Sequence, residues 1–371
     1  MTLLLHEFHA SLGARFTTVN GAEAVADFGD APAEHAALRE TAGVLDLGFR
    51  SRLCLIGADR VRFLHGQVTN DVKKLRGGEG CYAALVTAKG KMQSDLNIFM
   101  LQDELLLDFE PGLTQAVSQR LEKYIVADDV QVVDVAPHYG LLSVQGPEGE
   151  AVVHSLGLFA EVPNAPLHFI KVTDATLGEI YLINQPRLGS KGFDLFVPSV
   201  ALAALVDKLI AAAKSVGGRA CGWTAFETAR IEAGVPRFAA DMDETNIPLE
   251  CGIEARAVSY TKGCYIGQEV INRIHSIGHV NRELRGLCLA GNLKTLPARG
   301  DKLFKDGKAV GHITSSIASQ ALRANIALGY VRREANAVGT EVKLLIAGNE
   351  SPAKIVEVPF GNEAGIGSLS P

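Results

Sequence analysis

Apolar and polar positions follow two rhythms along this chain, and the points where the rhythm changes mark out its elements. Residues 33–41 predict a short polar helix, opened by Pro32 at a first-turn position and closed by Gly43. A strand over 53–56 (Leu-Cys-Leu-Ile) follows, and Gly57 then turns the chain into a segment where Val61 and Leu64 recur at helical spacing. Strands are expected at 81–87, 95–101 and 105–109, the last two joined as a hairpin by the polar turn Gln102-Asp103-Glu104. A helix over about 113–126 places Leu113, Val117, Leu121, Tyr124 and Ile125 on one face, and strands at 130–135 and 140–144 close the series. Strand, helix, hairpin, helix and strand make the βαββαβ order of a ferredoxin-like unit.

A second α+β unit is expected from strands at 179–184 and 193–197, an apolar helix over 201–214 stopped by Gly217-Gly218, and a helix over 225–233 stopped by Gly234. After about Arg285 the helical period disappears. Short strands at 287–289, 302–304, 310–314, 326–331, 342–346 and 355–358, separated by Gly, Asn or Pro, fit a small β-barrel.

Composition supports several ordinary cores. The chain has 371 residues, 47% hydrophobic and 21% charged, which suits two or three domains at roughly 100–200 residues each. With 36 Lys and Arg against 42 Asp and Glu the net charge is −6, so the overall basic footprint of a nucleic-acid binder is missing and no direct nucleic-acid partner is expected. The apolar run Leu3-Leu4-Leu5 is broken at once by His6, Glu7 and His9, which fits neither a signal peptide nor a membrane span, so a cytoplasmic protein without a membrane partner is expected. Six cysteines stand singly, without CxxC spacing, and are expected as reduced thiols.

The densest candidate chemistry is Lys262-Gly263-Cys264-Tyr265-Ile266-Gly267-Gln268-Glu269. Two glycines within five residues permit a tight backbone path, and Lys262 is placed to lower the pKa of a neighbouring thiol. Cys264 is then a reactive thiolate; the alternative is a small buried cysteine beside a core tyrosine. His275 and His279 share a helical face, yet Gly278 and the lack of a suitably spaced acid favour a surface pair over a metal site. Gly77-Gly78-Glu79-Gly80 lacks the Lys-Ser/Thr needed to cradle phosphates, and Lys73, Lys74 and Arg76 read as a solvated basic face.

The octapeptide at 262–269 resembles the K-G-C-[aromatic]-x-G-Q-E signature of YgfZ-type folate-binding proteins, of the superfamily that includes the glycine-cleavage T-protein. The resemblance extends to Thr69-Asn70-Asp71, to Arg230-Ile231-Glu232-Ala233-Gly234, to Pro248-Leu249-Glu250 and to Gly311-His312-Ile313-Thr314-Ser315, so it covers about residues 34–348. It implies an α+β fold of two ferredoxin-like units plus a C-terminal β-barrel, arranged as a three-domain ring with folate at its centre. The implied division is 1–50 with 145–240, 51–144 with 241–284, and 285–371.

The resemblance also implies site residues. Aminomethyl transfer from a lipoyl arm to tetrahydrofolate needs a carboxylate near the reacting nitrogen, to position it and stabilise developing cationic character. Where the T-protein pattern has G-G-I-x-D-D, this chain has Gly90-Lys91-Met92-Gln93-Ser94-Asp95, keeping one acid of the pair. Asp95 is the candidate catalytic and folate-contacting acid, against the reading of a solvated acid at a strand start. Ser190 replaces the glutamate that faces the pterin, leaving Asp194 or Glu232 to supply an acid. Arg230 matches the superfamily's folate-site arginine, against an ion pair with Glu227 or Glu232. Lys262 and Tyr265 complete the expected cofactor-binding set, and Cys264 joins Asp95 as a catalytic candidate.

The leading expectation is a tetrahydrofolate-binding accessory protein supporting maturation or repair of iron-sulfur enzymes and, through such clients, tRNA modification. The alternative is a tetrahydrofolate-dependent aminomethyltransferase of the T-protein type. A third reading is a folate-binding module that has lost catalysis and acts as a sensor or scaffold.

Overall fold

The computed structural model of the protein describes residues 2–361. They fall into two compact units, the first built from the chain up to Thr87, Gln93–Glu227 and Arg256–Ile266, the second from Ala88–Met92, Thr228–Ala255 and Gly267 onward.

The first unit holds two large sheets and a two-stranded one, Arg15–Val19 with Ala22–Asp27. Five strands lie in the order Gly80–Val86, Met92–Met100, Leu105–Phe109, Ser51–Ile56, Gln131–Asp134. Helices Arg60–Gln67 and Thr114–Glu122 cover one face, where Phe63, Leu64, Val117 and Leu121 pack on Leu53, Leu85, Leu96, Ile98 and Leu107. Burying each such side chain stabilises the unit by roughly 1.5–3 kcal/mol. Because strand side chains alternate, Asp95, Asn97 and Phe99 project from the opposite face. The register pairs Asn97 with Asp108 and Phe99 with Leu106.

The second sheet runs Phe169–Asp174, Gly178–Asn184, Gly192–Pro198, Tyr139–Gln145, Gly43–Asp46, Arg219–Ala220, with only the last pair parallel. Helices Gly149–Ser155 and Leu202–Ser215 bury Leu142, Val144, Leu182, Leu195 and Val197. Here the structure corrects the expected βαββαβ series. Tyr139–Gln145 does not close the five-stranded sheet but pairs between Gly192–Pro198 and Gly43–Asp46, because its fully buried Leu142 and Val144 belong under the helices of the six-stranded sheet.

The helix-free faces of the two sheets meet within this unit. The Phe99 ring lies 6.0 Å from those of Phe169 and Phe196, and Arg187 reaches from one sheet to Asp108 on the other at 3.0 Å. The seam is therefore aromatic towards one end and charged at its centre.

The second unit contains a closed barrel of six antiparallel strands: Arg282–Leu289, Ala324–Arg332, Lys308–Ser319, Lys302–Lys305, Glu341–Ile346 and Asn349–Val356. All six expected barrel strands are present, but the last begins at Asn349 instead of 355. Ala347 and Gly348 both take positive φ, the geometry of a two-residue hairpin turn that sends the chain straight back. Leu287, Leu303, Ile313, Leu344 and Ile355 fill the barrel. Among the described residues no helix is long and apolar enough to cross a membrane.

Candidate functional site

Asp95 lies on the strand Met92–Met100, on the face turned away from the helices. Its Oδ2 accepts a hydrogen bond from the Tyr82 hydroxyl at 2.8 Å, while its Oδ1 is buried with no hydrogen-bond partner among the described residues. Burial raises the Asp95 pKa, the nearby Glu110 carboxylate pushes in the same direction, and the Tyr82 bond and Arg50 oppose them. A half-satisfied, desolvated carboxylate is costly to a fold and is the usual mark of a working acid. The reading of a solvated acid does not hold, since an atom without solvent contact or partner is not solvated.

Strand alternation also explains the missing second acid of the T-protein pattern. Ser94 is fully buried, on the core side with Leu96 and Ile98, and its hydroxyl bonds the Asp95 carbonyl at 3.0 Å. Two successive strand residues cannot serve one site. Ser94 therefore faces the core, and the Asp95 carboxylate faces outward. Lys91, which looked intrusive in sequence, donates to the Thr245 carbonyl at 2.6 Å within the second unit.

Behind Asp95 runs a string of buried ions. Arg50 donates to Glu110 at 2.7 Å and to both oxygens of Asp108 at 2.8 and 3.1 Å. Asn97 and Arg187 donate to the same Asp108 at 2.9 and 3.0 Å. Arg187 also grips Asp194 at 2.8 and 2.5 Å. Burial works against the charge of Asp108, but the two guanidiniums win and hold it well below the carboxylate range. For Asp194 burial wins, and its pKa is raised despite Arg187. Asp194, expected as a pterin acid, is 1% exposed and clasped by Arg187 through one oxygen, the other being buried with no hydrogen-bond partner among the described residues.

Lys262 is nearly buried and its ammonium donates to the carbonyls of His65, Val68 and Asn70 at 2.5, 2.6 and 2.9 Å. Burial lowers its pKa to about 8, so it remains charged at neutral pH. Asn70 continues the connection: its side-chain amide donates to the carbonyls of Tyr82 at 2.8 Å and Arg256 at 2.9 Å, and the Arg256 guanidinium lies 4.5 Å from the centre of the Tyr82 ring. Thr69 bonds the Ala257 carbonyl at 2.6 Å and receives the Ala84 amide at 2.9 Å. The Thr69-Asn70-Asp71 and Lys262 motifs, far apart in sequence, thus lock together and aim Tyr82 at Asp95. Replacing Lys262 with Met is expected to destabilise the protein by about 3–5 kcal/mol, because three inward-facing carbonyls lose their donor. A urea unfolding midpoint unchanged from the parent would contradict this role.

The other expected residues divide. Cys264 is exposed, which removes the buried-cysteine reading, but the lysine expected to activate it is spent on main-chain carbonyls. Of the two glycines, Gly267 uses its freedom, at φ +88°, as the N-cap of helix Gln268–Ile277. Tyr265 is buried under the Lys262 ammonium, 4.8 Å from the ring centre, with a hydroxyl that finds no partner among the described residues; burial pushes that phenol up to about 12. In the second unit, Arg230 is sealed by Asp241, by Ser315 at 2.8 Å and by the Val235 carbonyl at 3.3 Å. Its guanidinium pairs with Asp241, an acid not among those expected. Glu232 accepts from the Ser319 hydroxyl.

Comparison with known proteins bears on what such a carboxylate serves. The model of the GCVT N-terminal domain matches residues 5–262, and that of the glycine cleavage T-protein C-terminal barrel domain matches residues 282–361. The chain belongs to the glycine cleavage T-protein family. Within the family it is 30% identical over 364 residues to an aminomethyltransferase of Symbiobacterium thermophilum, covering 96% of both chains. It is 29% identical over 361 residues to one of Geobacillus kaustophilus, covering 97% of this chain and 98% of that one. The crystal structure of the glycine cleavage system aminomethyltransferase T from Bartonella henselae superposes with a TM-score of 0.87 at 23% identity over 98% of each chain, which establishes the shared fold.

These relatives overturn the leading sequence expectation. An accessory role in iron-sulfur enzyme maturation, with tRNA modification downstream, rested on the octapeptide and on the lost acid. In physical terms, Lys262 of the octapeptide is a main-chain clamp and Ser94 faces the core. Tyr82, Arg50, Glu110 and Arg187 were missed in the sequence, where an ordinary strand aromatic and three dispersed charges carry no pattern.

Proposed function

We propose that this protein is a tetrahydrofolate-dependent aminomethyltransferase, releasing ammonia and leaving a one-carbon unit on folate. The observation that carries the reading is the Asp95 carboxylate, fixed on one oxygen by Tyr82 and unpaired on the other, in a chain whose relatives along its full length are aminomethyltransferases. Tetrahydrofolate would supply the nucleophilic nitrogen that receives the one-carbon unit. The unpaired Oδ1 fits a group that brings an N–H donor or a developing cation, and the buried, unpaired Tyr265 hydroxyl is a second group of the same unit with hydrogen-bonding capacity to offer.

The residues then have separable tasks. Tyr82 holds Asp95 in one rotamer, so the carboxylate itself need not reorient. The desolvated carboxylate attracts positive charge far more strongly than one in water, and it can accept a proton because burial and Glu110 raise its affinity for one. Arg50, bound to Glu110 and Asp108, limits that rise.

The test is turnover by purified protein with tetrahydrofolate and an aminomethylated lipoyl carrier protein, following ammonia release and folate binding in the same samples. Ammonia release dependent on tetrahydrofolate is expected. Tight folate binding without turnover would overturn the transferase reading.

A further inference from the structure

The aromatic end of the inter-sheet seam opens into a small cavity of about 100 Å³. That is roughly three times the volume of a water molecule in the liquid. Three aromatic residues line it: Tyr139 and Tyr181, which meet edge to face at 6.4 Å between ring centres, and Phe196, with Cys54 beside them. Two carboxylates, Glu104 from the turn 101–105 and Glu179 from the strand Gly178–Asn184, join the aliphatic Leu101, Leu106 and Val135 to complete the lining. The strand Met92–Met100 carries Asp95 near one end and runs into that turn at the other, so the cavity lies about 20 Å from Asp95 at a strand rise of about 3.3 Å per residue.

The charge within this cavity is unbalanced. Lys171 pairs with Glu179 at 2.9 Å from the rim. Glu104 shares the lining with the Cys54 thiol and makes no ion pair among the described residues. Burial keeps that thiol in its neutral, hydrogen-bond-donating form, and burial with the two glutamates does the same for both tyrosines. The cavity thus presents ring faces, neutral donors and one uncompensated carboxylate. Such a set favours a compact cation whose charge is spread over apolar substituents, since the rings attract it through their quadrupoles and the carboxylate supplies the counter-charge. A hydrated metal ion fits poorly, because aromatic carbon offers no ligands in exchange for its water.

The geometry points to a second binding site, in which Tyr139, Tyr181, Phe196 and Glu104 hold a small N-methylated ammonium compound. The site sits outside the reach of Asp95, so its ligand is an effector or a passenger and not the group being transferred.

The experiment is calorimetric titration of the whole protein with tetramethylammonium chloride at constant ionic strength, with sodium chloride and tert-butanol as charged and neutral controls. Saturable binding with a Kd of about 1 mM is expected, with no saturation by either control. Glu104→Gln, a substitution in a turn, should weaken binding roughly tenfold, and Lys171→Met should tighten it several-fold by removing the rival cation. Absence of saturable binding by tetramethylammonium, equal affinity for tert-butanol, or an unchanged Kd in Glu104→Gln would each overturn the assignment. None of these readouts involves tetrahydrofolate, so failure here and failure of the transferase reading are distinguishable.

Discussion

Asp95→Asn is expected to lower kcat by about 10²–10⁴-fold, the range over which a positioned acid-base or charge-stabilising group contributes, while tetrahydrofolate affinity changes only a few-fold. The asparagine keeps the shape and still accepts from Tyr82, but it can neither take a proton nor balance a developing positive charge. The same change should not destabilise the protein at neutral pH. The folded-state pKa of Asp95 is raised by burial and by Glu110, so the folded state holds a proton that the unfolded chain has released. Stability therefore falls as pH rises from the unfolded value through the folded one, and above that window the buried charge is a net cost that asparagine removes. A Tm equal to or above the parent's, joined to a collapse in turnover, is the joint outcome to look for. The pH profile gives an independent check. If the ionised form works, activity rises through the raised Asp95 pKa, and Glu110→Gln, by deleting a neighbouring negative charge, shifts that acid limb to lower pH. Turnover of Asp95→Asn within threefold of the parent would remove Asp95 from the chemistry.

Much of the fold was legible because its periodicities are local. The barrel strands announce themselves by alternation and by Gly, Asn and Pro between them, and the helix Ala31–Glu40 begins where Pro32 indicated, with the Asp30 side chain capping the Ala33 amide at 3.0 Å. Sheet membership was not local. Residues 140–144 have the same alternation whichever sheet receives them, and only the long-range partners Gly43–Asp46 and Gly192–Pro198 decide the matter. The site shows the same division. Asp95 was found through a motif, but its hydrogen-bond donor lies on the neighbouring strand, in a run that reads as plain core. The seam ions at 50, 108, 187 and 194 come from four separate stretches, and no spacing rule connects them. Resemblance itself misled where a motif served the fold: Lys262 is distinctive in sequence because three carbonyls need it, which says nothing about iron-sulfur chemistry.

Asp108→Ala is expected to destabilise the first unit by about 3–5 kcal/mol. Asp108 is 0% exposed and receives Arg50, Arg187 and Asn97 together. Its removal leaves two guanidiniums facing each other across a dry seam, with Glu110 and Asp194 to share between them. The cost is that of stranded positive charge, not of one lost contact, and this distinction is measurable. In an Arg187→Met background the same Asp108→Ala change should cost clearly less, giving a coupling of about 1–3 kcal/mol in a double-mutant cycle. Strict additivity would mean that the two residues do not act as a unit. The pH dependence has a definite sign. Asp108 is held below its ordinary range by the two arginines, so its contribution is complete above the unfolded carboxylate pKa and is lost only as pH falls towards the depressed folded value. The gap between parent and variant should stay constant from neutral pH down to the ordinary carboxylate range and narrow below it. Because Arg50 also holds Glu110 at 2.7 Å, and Glu110 acts on Asp95, the variant should also shift the acid limb of the activity profile in whatever protein stays folded. The seam that joins the two sheets thereby sets the protonation of the acid at its end.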